Sequence, residues 1–412
     1  MLPHLYLFSP YCLFLHIIKK MRKAKVSIVK VGDYKSEEIY RALKKSLSLL
    51  GGLENILRPQ SKVFVKINHL SPPSSADEAI VTHPAFAKEV LRLLLELNLE
   101  ITVGDDIQSK GKDGFFVSGH RQVCNDLGIR LVNLKEIGFR EINCKGQILK
   151  KVFISPLLLE ADSILNLPKL KTHSFTVFTG AVKNMFGIIP YGLRLDYHRQ
   201  YIKSDVFSQM LVDIFSCVPP HLTIMDGIVA MEGEGPSGGN ARRVSVIVVS
   251  HDAVAVDAVA SKIVGFNPMN IFTTQNAHER GLGIGEIEKI EIAGEDIRDV
   301  EVRNFKHSAV AIGIMRRKIP SFLHGYIQSQ LTLTPEVSMN KCTACMECID
   351  ICPSGAAKLD GDLAWIDKSL CIHCMCCHEV CRFQAIKLKQ RPVGKIFRGI
   401  DSFYKKAKSL FT

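Results

Sequence analysis

The chain has 412 residues, 47% hydrophobic and 23% charged, which is room for two or three packed domains and the wrong balance for a disordered or fibrous protein. Lys and Arg outnumber Asp and Glu by 53 to 41, a formal charge of +12, which points to an acidic partner or an anionic surface. No helix-turn-helix, zinc-finger or RNA-binding signature accompanies that charge, so it does not argue for nucleic acid.

Residues 1–24 form an apolar extension. Positions 1–18 carry no Lys, Arg, Asp or Glu and are followed at once by Lys19, Lys20, Arg22 and Lys23. The segment lies at the lower length limit for a membrane span, and Pro3 and Pro10 interrupt it. No positive region precedes it and no small-residue cleavage site follows, so a signal peptide is disfavoured. Two readings stay open: a short anchor with the body in the cytoplasm, or translation that starts at Met21.

Over residues 25–308 apolar runs alternate with amphipathic ones. KVSIVKV (25–31) reads as a strand, and SEEIYRALKKSLSLL (36–50) as a helix with Ile39, Leu43, Leu47 and Leu50 on one face. KVFVKIN (62–68) reads as a buried strand, HPAFAKEVLRLLLELN (83–98) as a second amphipathic helix and EITVGDD (100–106) as a strand. Further strands are expected at 151–156, 161–169, 221–231 and 244–250, and helices at 205–218 and 252–265. Such alternation predicts an α/β domain with a mostly parallel sheet covered on both faces, whose ligands collect where strands end.

Several of those strand ends carry polar residues at odds with the apolar runs before them. They include Lys66, Asn68, Thr82, His83 and Asp105, then Asn166, Lys169, Lys171, Thr172 and His173, and finally Lys183, Asn184, Asp226, Asp252 and Asp257. The succession V-K-x-N, T-H-P, G-D, N-L-P-K-x-K-T-H, G-A-V-K-N-x-x-G, D-G-x-x-x-M-E-G-x-G-P and D-A-V-A-V-D resembles the domain-of-unknown-function 362 family, over nearly the whole chain from Lys25. The resemblance implies no reaction, and the chemistry has to come from residue types.

Lys169, His173, Lys183 and Asp226 are the candidate catalytic residues, and Asn166, Lys171 and Asn184 the candidate binding residues of an anion site for a small anionic substrate or nucleotide. They are read as lying around two loops, with Gly180, Gly187, Gly233, Gly235, Gly238 and Gly239 letting backbone amides approach the anion. Asp105, Asp226, Glu232 and Asp257 are further candidates for metal ligation or acid/base work. Asp257 also reads as structural, Asp252 as a helix N-cap, and His83 equally as a helix-start residue. Neither G-x-G-x-x-G after a strand nor G-x-x-x-x-G-K-[ST] is present, which excludes the standard dinucleotide and P-loop sites.

Residues 309–340 read as a joining segment with a short amphipathic piece at Phe322, Leu323, Tyr326 and Ile327. At 341–390 the chain repeats itself: C-x2-C-x2-C-x3-C followed four residues on by A-x-K-L, twice, with first cysteines Cys342 and Cys371 lying 29 residues apart. The x2 spacings wrap three sulfurs round one face of a cubane, and the fourth cysteine starts a helix that points to the other cluster. Cys342, Cys345, Cys348 and Cys381 are therefore assigned to one 4Fe-4S cluster, and Cys371, Cys374, Cys377 and Cys352 to a second. The stretch resembles the bacterial two-cluster ferredoxin, a small α+β unit, with Arg382 in place of the proline that follows the fourth cysteine. Cys376 is either a buried small hydrophobe or an alternative ligand one residue off, and the spacing suits zinc poorly. The other four cysteines show no pairing pattern, which fits a reducing compartment.

The tail 391–412 places Ile396, Phe397, Ile400, Phe403 and Tyr404 on one side, with Lys405, Lys406 and Lys408 beside them: it packs on the body or lies on a membrane surface. The expectation is a cytoplasmic 4Fe-4S protein, able to touch a membrane peripherally, in which electrons pass to or from an anion site in the α/β domain. A redox partner with an acidic face completes it. The alternative is a non-catalytic carrier or assembly factor whose α/β domain docks a partner protein.

Overall fold

The computed structural model describes residues 24–70, 76–108, 113–309 and 332–390. The expected anchor, the amphipathic piece at 322–327 and the basic tail lie outside the described residues. No helix among the described residues is long and apolar enough to cross a membrane.

In chain order the strands of the large domain are β1 (Ala24–Lys30), β2 (Lys62–Ile67), β3 (Glu100–Asp105), β4 (Arg130–Asn133), β5 (Arg140–Asn143), β6 (Lys151–Ile154), β7 (Ser163–Leu167), β8 (Lys169–His173), β9 (Val177–Thr179), β10 (Leu222–Glu232), β11 (Asn240–Ser250) and β12 (Ile290–Gly294). Ten of them make one sheet in the order β12-β1-β11-β10-β7-β2-β3-β4, with β8 and β9 added beside the outer half of β10. The strands from β10 to β4 run parallel, and β11 runs antiparallel to both its neighbours. The mostly parallel α/β sheet read from the sequence is the one observed.

Both faces are covered, as a parallel sheet requires. On one face the helix Ser36–Leu49 turns Ile39, Leu43 and Leu47 inward, and the helix Pro84–Leu95 adds Phe86, Val90 and Leu94. On the other, Phe207, Leu211 and Ile214 of the helix Ser204–Cys217 pack over Ile164 and Ile154. Asp252 caps the helix Ala253–Ile263 by accepting from Val254 N and Ala255 N, each at 2.9 Å, and His83 Nδ1 caps Pro84–Leu95 through Ala85 N.

The stretch after Pro168 differs from its expectation. Its polar residues suggest a loop, yet Lys169–His173 is strand β8 and all five residues are buried. Pro168 has no N–H to continue the ladder of β7; its carbonyl instead accepts from Asp226 N at 2.9 Å, and the chain resumes one step on, against the outer half of the 11-residue β10. The polar ends of β2, β3, β7 and β8 thus meet at one edge of the sheet.

The C-terminal module has four strands, β13 (Leu333–Val337), β14 (Ala357–Asp360), β15 (Leu363–Ile366) and β16 (Ile386–Gln390), paired β13-β16 and β14-β15, with short helices Glu347–Asp350 and Cys376–Val380. The repeat is visible in the backbone: Ala344 and Met346 adopt left-handed φ of 52° and 62°, and His373 and Met375, 29 positions on, adopt 55° and 66°. LTPEV, placed in the joining segment by the sequence reading, is β13, so the module starts before 341.

The glycine-rich run 233–239 makes contacts between the two units, and its Pro236 lines the cleft described next. Ser237 Oγ donates to His378 O at 3.2 Å and to Glu379 O at 2.7 Å, and His378 Nε2 lies 2.8 Å from Glu234 O. A Cβ on Gly238 would overlap the His378 ring. Of the six glycines expected to approach an anion, Gly187 lines the cleft described next.

Candidate functional site

Two cavities in the module are each ringed by four cysteines. One, of about 350 Å³, is lined by Cys342, Cys345, Cys348 and Cys381 with Ala364, Phe383 and Ile386. The other, of about 300 Å³, is lined by Cys352, Cys371, Cys374 and Cys377 with Pro335, Ile366 and Met375. Each ring draws one cysteine from the opposite half of the repeat. Among the described residues no three His, Cys, Asp or Glu side chains converge closely enough to hold a single metal ion. Thiols spread around an apolar cavity fit a cluster better than a tetrahedral zinc ion. Backbone N–H groups of Ala357 and Ala385 point at Cys352 Sγ (3.3 Å) and Cys381 Sγ (3.2 Å), the kind of donor that stabilises a thiolate. Cys376 lines neither ring.

It lines a third space, an open-sided cleft of about 670 Å³ between the sheet edge and the module. The large domain contributes Lys66, Asn68 and His69 from the end of β2, Asp105 from β3, Lys171 from β8, and Lys183 and Asn184 from the helix Ala181–Asn184. Tyr191, Arg194 and His198 come from the helix Tyr191–Gln200, and the module closes one side with Ile351, Cys376 and Glu379.

The lysines divide into two kinds. Lys66 Nζ is 2.7 Å from Asp105 Oδ2 in a fully buried pair, and burial draws Lys66 down and Asp105 up while each partner opposes the other's shift. Lys169 Nζ is 2.8 Å from Asp226 Oδ2 and 2.6 Å from Tyr34 Oη; Tyr34 also donates to Asp226 and stacks on His83 at 3.6 Å. Lys169 and Asp226 therefore satisfy one another, and neither lines the cleft. Lys171 donates to Ile80 O at 2.7 Å and still faces the cleft; burial and then the nearby Lys183 push it down to about 7. The Lys183 ammonium lies over the Phe186 ring at 5.7 Å and has no carboxylate within ion-pair distance among the described residues. Burial lowers its pKa, while Glu379 opposes the shift.

Histidines do not supply the positive charge. Burial pushes His69 and His198 down to about 3 and His173 to about 4, leaving all three neutral near pH 7. His173 Nδ1 accepts from Phe175 N and Thr176 N, so its proton sits on Nε2, 3.2 Å from Glu379 Oε1 across the boundary between the units. Burial raises the Glu379 carboxyl, but His173, Lys183 and His198 outweigh that and bring it down to about 2, so it is a carboxylate. Asp257 accepts from Ala181 N (2.5 Å) and Val182 N (3.0 Å) and so holds the start of the helix that carries Lys183 and Asn184. Glu232, another acid/base candidate, accepts from Lys306 N at 3.0 Å.

The family model for the domain of unknown function DUF362 matches residues 63–262, and models of the 4Fe-4S binding domain match residues 334–357 and 364–387. The chain carries a DUF362 domain followed by two 4Fe-4S binding domains. A thylakoid-associated protein of Synechocystis sp. is 29% identical over 309 residues, 74% of this chain and 95% of that protein. Indolepyruvate oxidoreductase subunit IorA of Archaeoglobus fulgidus is 29% identical over 109 residues, which is 26% of this chain and 18% of that one. The lactate racemase apoprotein from Thermoanaerobacterium thermosaccharolyticum is a similar solved structure, with 11% identity and a TM-score of 0.40 over 58% of this chain and 57% of that one.

Every cleft residue outside the module thus belongs to the DUF362 domain. Of the seven candidate residues there, Lys171, Lys183 and Asn184 line the cleft; Asn166 and His173 stand behind it, bonded to Asn184 and facing Glu379. The sequence reading did not single out His69, Tyr191, Arg194, His198 or Glu379 as site residues. His69 follows Lys66 and Asn68 at the same strand end, a signal that was available; Glu379 lies inside the second cysteine repeat, between Cys377 and Cys381, where the spacing speaks only for the thiols, and Tyr191, Arg194 and His198 sit in a stretch without a motif.

Proposed function

We propose that this iron–sulfur electron-transfer protein is a redox enzyme in which the cleft binds a small anionic ligand and electrons reach or leave it across the wall made by Ile351, Cys376 and Glu379. The observation that supports this most is the double role of the helix Cys376–Val380. The same segment supplies Cys377 to the ring of four thiols and Cys376 and Glu379 to the cleft, while Ile351 precedes Cys352 of that ring. When bound, a 4Fe-4S cluster takes up or gives out one electron at a time. Lys171 and Lys183 hold the ligand's charge, Asn184 orients it, and the apolar contacts of Phe186 and Leu195 limit water.

Fixing electron source and ligand on one chain raises the effective concentration of one at the other. The test is electron paramagnetic resonance of the reduced, iron-loaded protein with and without phosphate or acetate. The signal from the Cys371 ring should change and that from the Cys342 ring should not. No change with any small anion, or equal change in both signals, overturns the reading. We place the body in the cytoplasm with a redox partner protein, and assign membrane contact to the basic segments.

A further inference from the structure

The cleft presents more than positive charge. Seven buried side-chain atoms among its lining make no hydrogen bond: Asn68 Oδ1, His69 Nδ1, Thr179 Oγ1, Asn184 Oδ1, Arg194 Nε, His198 Nδ1 and Glu379 Oε1. Glu379 Oε1 has His173 Nε2 at 3.2 Å, and the two asparagine oxygens can only accept. A buried acceptor without a donor costs free energy that a bound donor recovers.

The orientation of Asn184 follows from its neighbours. Ala181 O can only accept, so the Asn166 atom 3.0 Å from it is Nδ2. That leaves Asn166 Oδ1 to meet Asn184, 2.7 Å away, and an oxygen there requires the Asn184 amide nitrogen. Turning either amide over would set two carbonyls or two NH₂ groups face to face. Asn184 Oδ1 is therefore the atom left over, in a residue only 3% exposed. Asp257 fixes the same helix from behind through Ala181 N and Val182 N, so the acceptor is held rigidly.

Resting on the anion site proposed above, we propose that the cleft's ligand is a small anion that also bears hydroxyl or N–H groups, with its charge on Lys171 and Lys183 and its donors on Asn184 Oδ1 and Asn68 Oδ1. A carboxylate and a phosphate share the required charge. A site built to meet a hydroxyl discriminates against the analogue that lacks it, because the acceptor is then left unpaired.

Isothermal titration calorimetry on the iron-loaded full chain tests this with two matched pairs of probes: glycerate against propanoate, and glycerol 3-phosphate against propyl phosphate. The hydroxylated member should bind about tenfold tighter in at least one pair, and the pair that shows it identifies the anion. Asn184→Leu should bring the affinity of the hydroxylated member down to that of its partner. Equal affinity within both pairs in the unmodified protein overturns this inference and leaves the anion site standing, as does a preference that survives Asn184→Leu. Failure of all four compounds to bind overturns the anion site as well.

Discussion

At the scale of single residues, the site is decided by which lysines have a carboxylate and which do not. Removing one partner of a buried pair leaves a charge in a dry interior, at a cost of about 3–5 kcal/mol. Lys169→Met would strand Asp226 beside Tyr34 and should lower the stability of the iron-loaded protein by about that much in urea melts. Lys183→Met breaks no ion-pair contact and removes only a longer-range cation from Glu379, so it should cost less than that and remove anion binding instead. If Lys183→Met destabilises as much as Lys169→Met, Lys183 is structural. Lys171 gives a pH signature of two opposite signs. Its ammonium loses its proton near pH 7, so anion affinity should fall by up to about tenfold between about pH 6 and about pH 8. Its effect on stability runs the other way. Because its folded pKa lies below the ordinary 10.5, the unfolded chain holds more protons between about 7 and 10.5; stability from this group rises across that window and is lost as pH falls through about 7. Affinity measured against pH checks the first sign, and Lys171→Met should flatten the curve.

At the scale of elements, the two thiol rings are interlocked. Cys352→Ser should therefore damage the centre held by Cys371, Cys374 and Cys377 and spare the one beside its own neighbours, with iron falling from about eight to about four per chain. Loss of the signal from the Cys342 ring instead would reverse the assignment. The joint between the units depends on Gly238, since His378 is pinned between Glu234 O and Ile386 O at 2.8 and 2.9 Å and has nowhere to move. Gly238→Val should keep the iron and abolish the response of the Cys371-ring signal to added anion; an unchanged response would show that the joint is dispensable for coupling. The repeat was legible because ligand spacing is dictated by the cubane, and the parallel sheet because apolar runs alternate with amphipathic ones. Strand β8 was not, because Lys-Leu-Lys-Thr-His follows no strand pattern, and its ladder partner on β10 lies 57 positions away at Lys169 and Asp226. The pairing of His173 with Glu379 spans the two units, and no local rule reports such a contact. Cys144 and Cys217, which show no pairing pattern in the sequence, are free thiols whose Sγ atoms lie 2.8 Å apart.

At the scale of the whole molecule, the excess of positive charge falls, in sequence, outside the described residues. Fifteen of the 53 Lys and Arg but one of the 41 Asp and Glu fall in 1–23, 109–112, 310–331 and 391–412, so the described residues carry a formal −2 against +12 for the chain. Each Lys or Arg near an anionic bilayer contributes about 1 kcal/mol, and the attraction decays within a Debye length of about 8 Å at physiological salt. Several such residues together would suffice for the peripheral binding proposed above. The protein should therefore sediment with vesicles rich in anionic lipid, ignore zwitterionic ones, and come off at about 1 M salt, where the Debye length shrinks to about 3 Å. Insertion of residues 1–18 would behave differently, because burial of apolar side chains in the bilayer is not screened by salt. Protein that stays with the vesicles through the salt wash and leaves only with detergent would sink the peripheral reading and make the N-terminal segment an anchor.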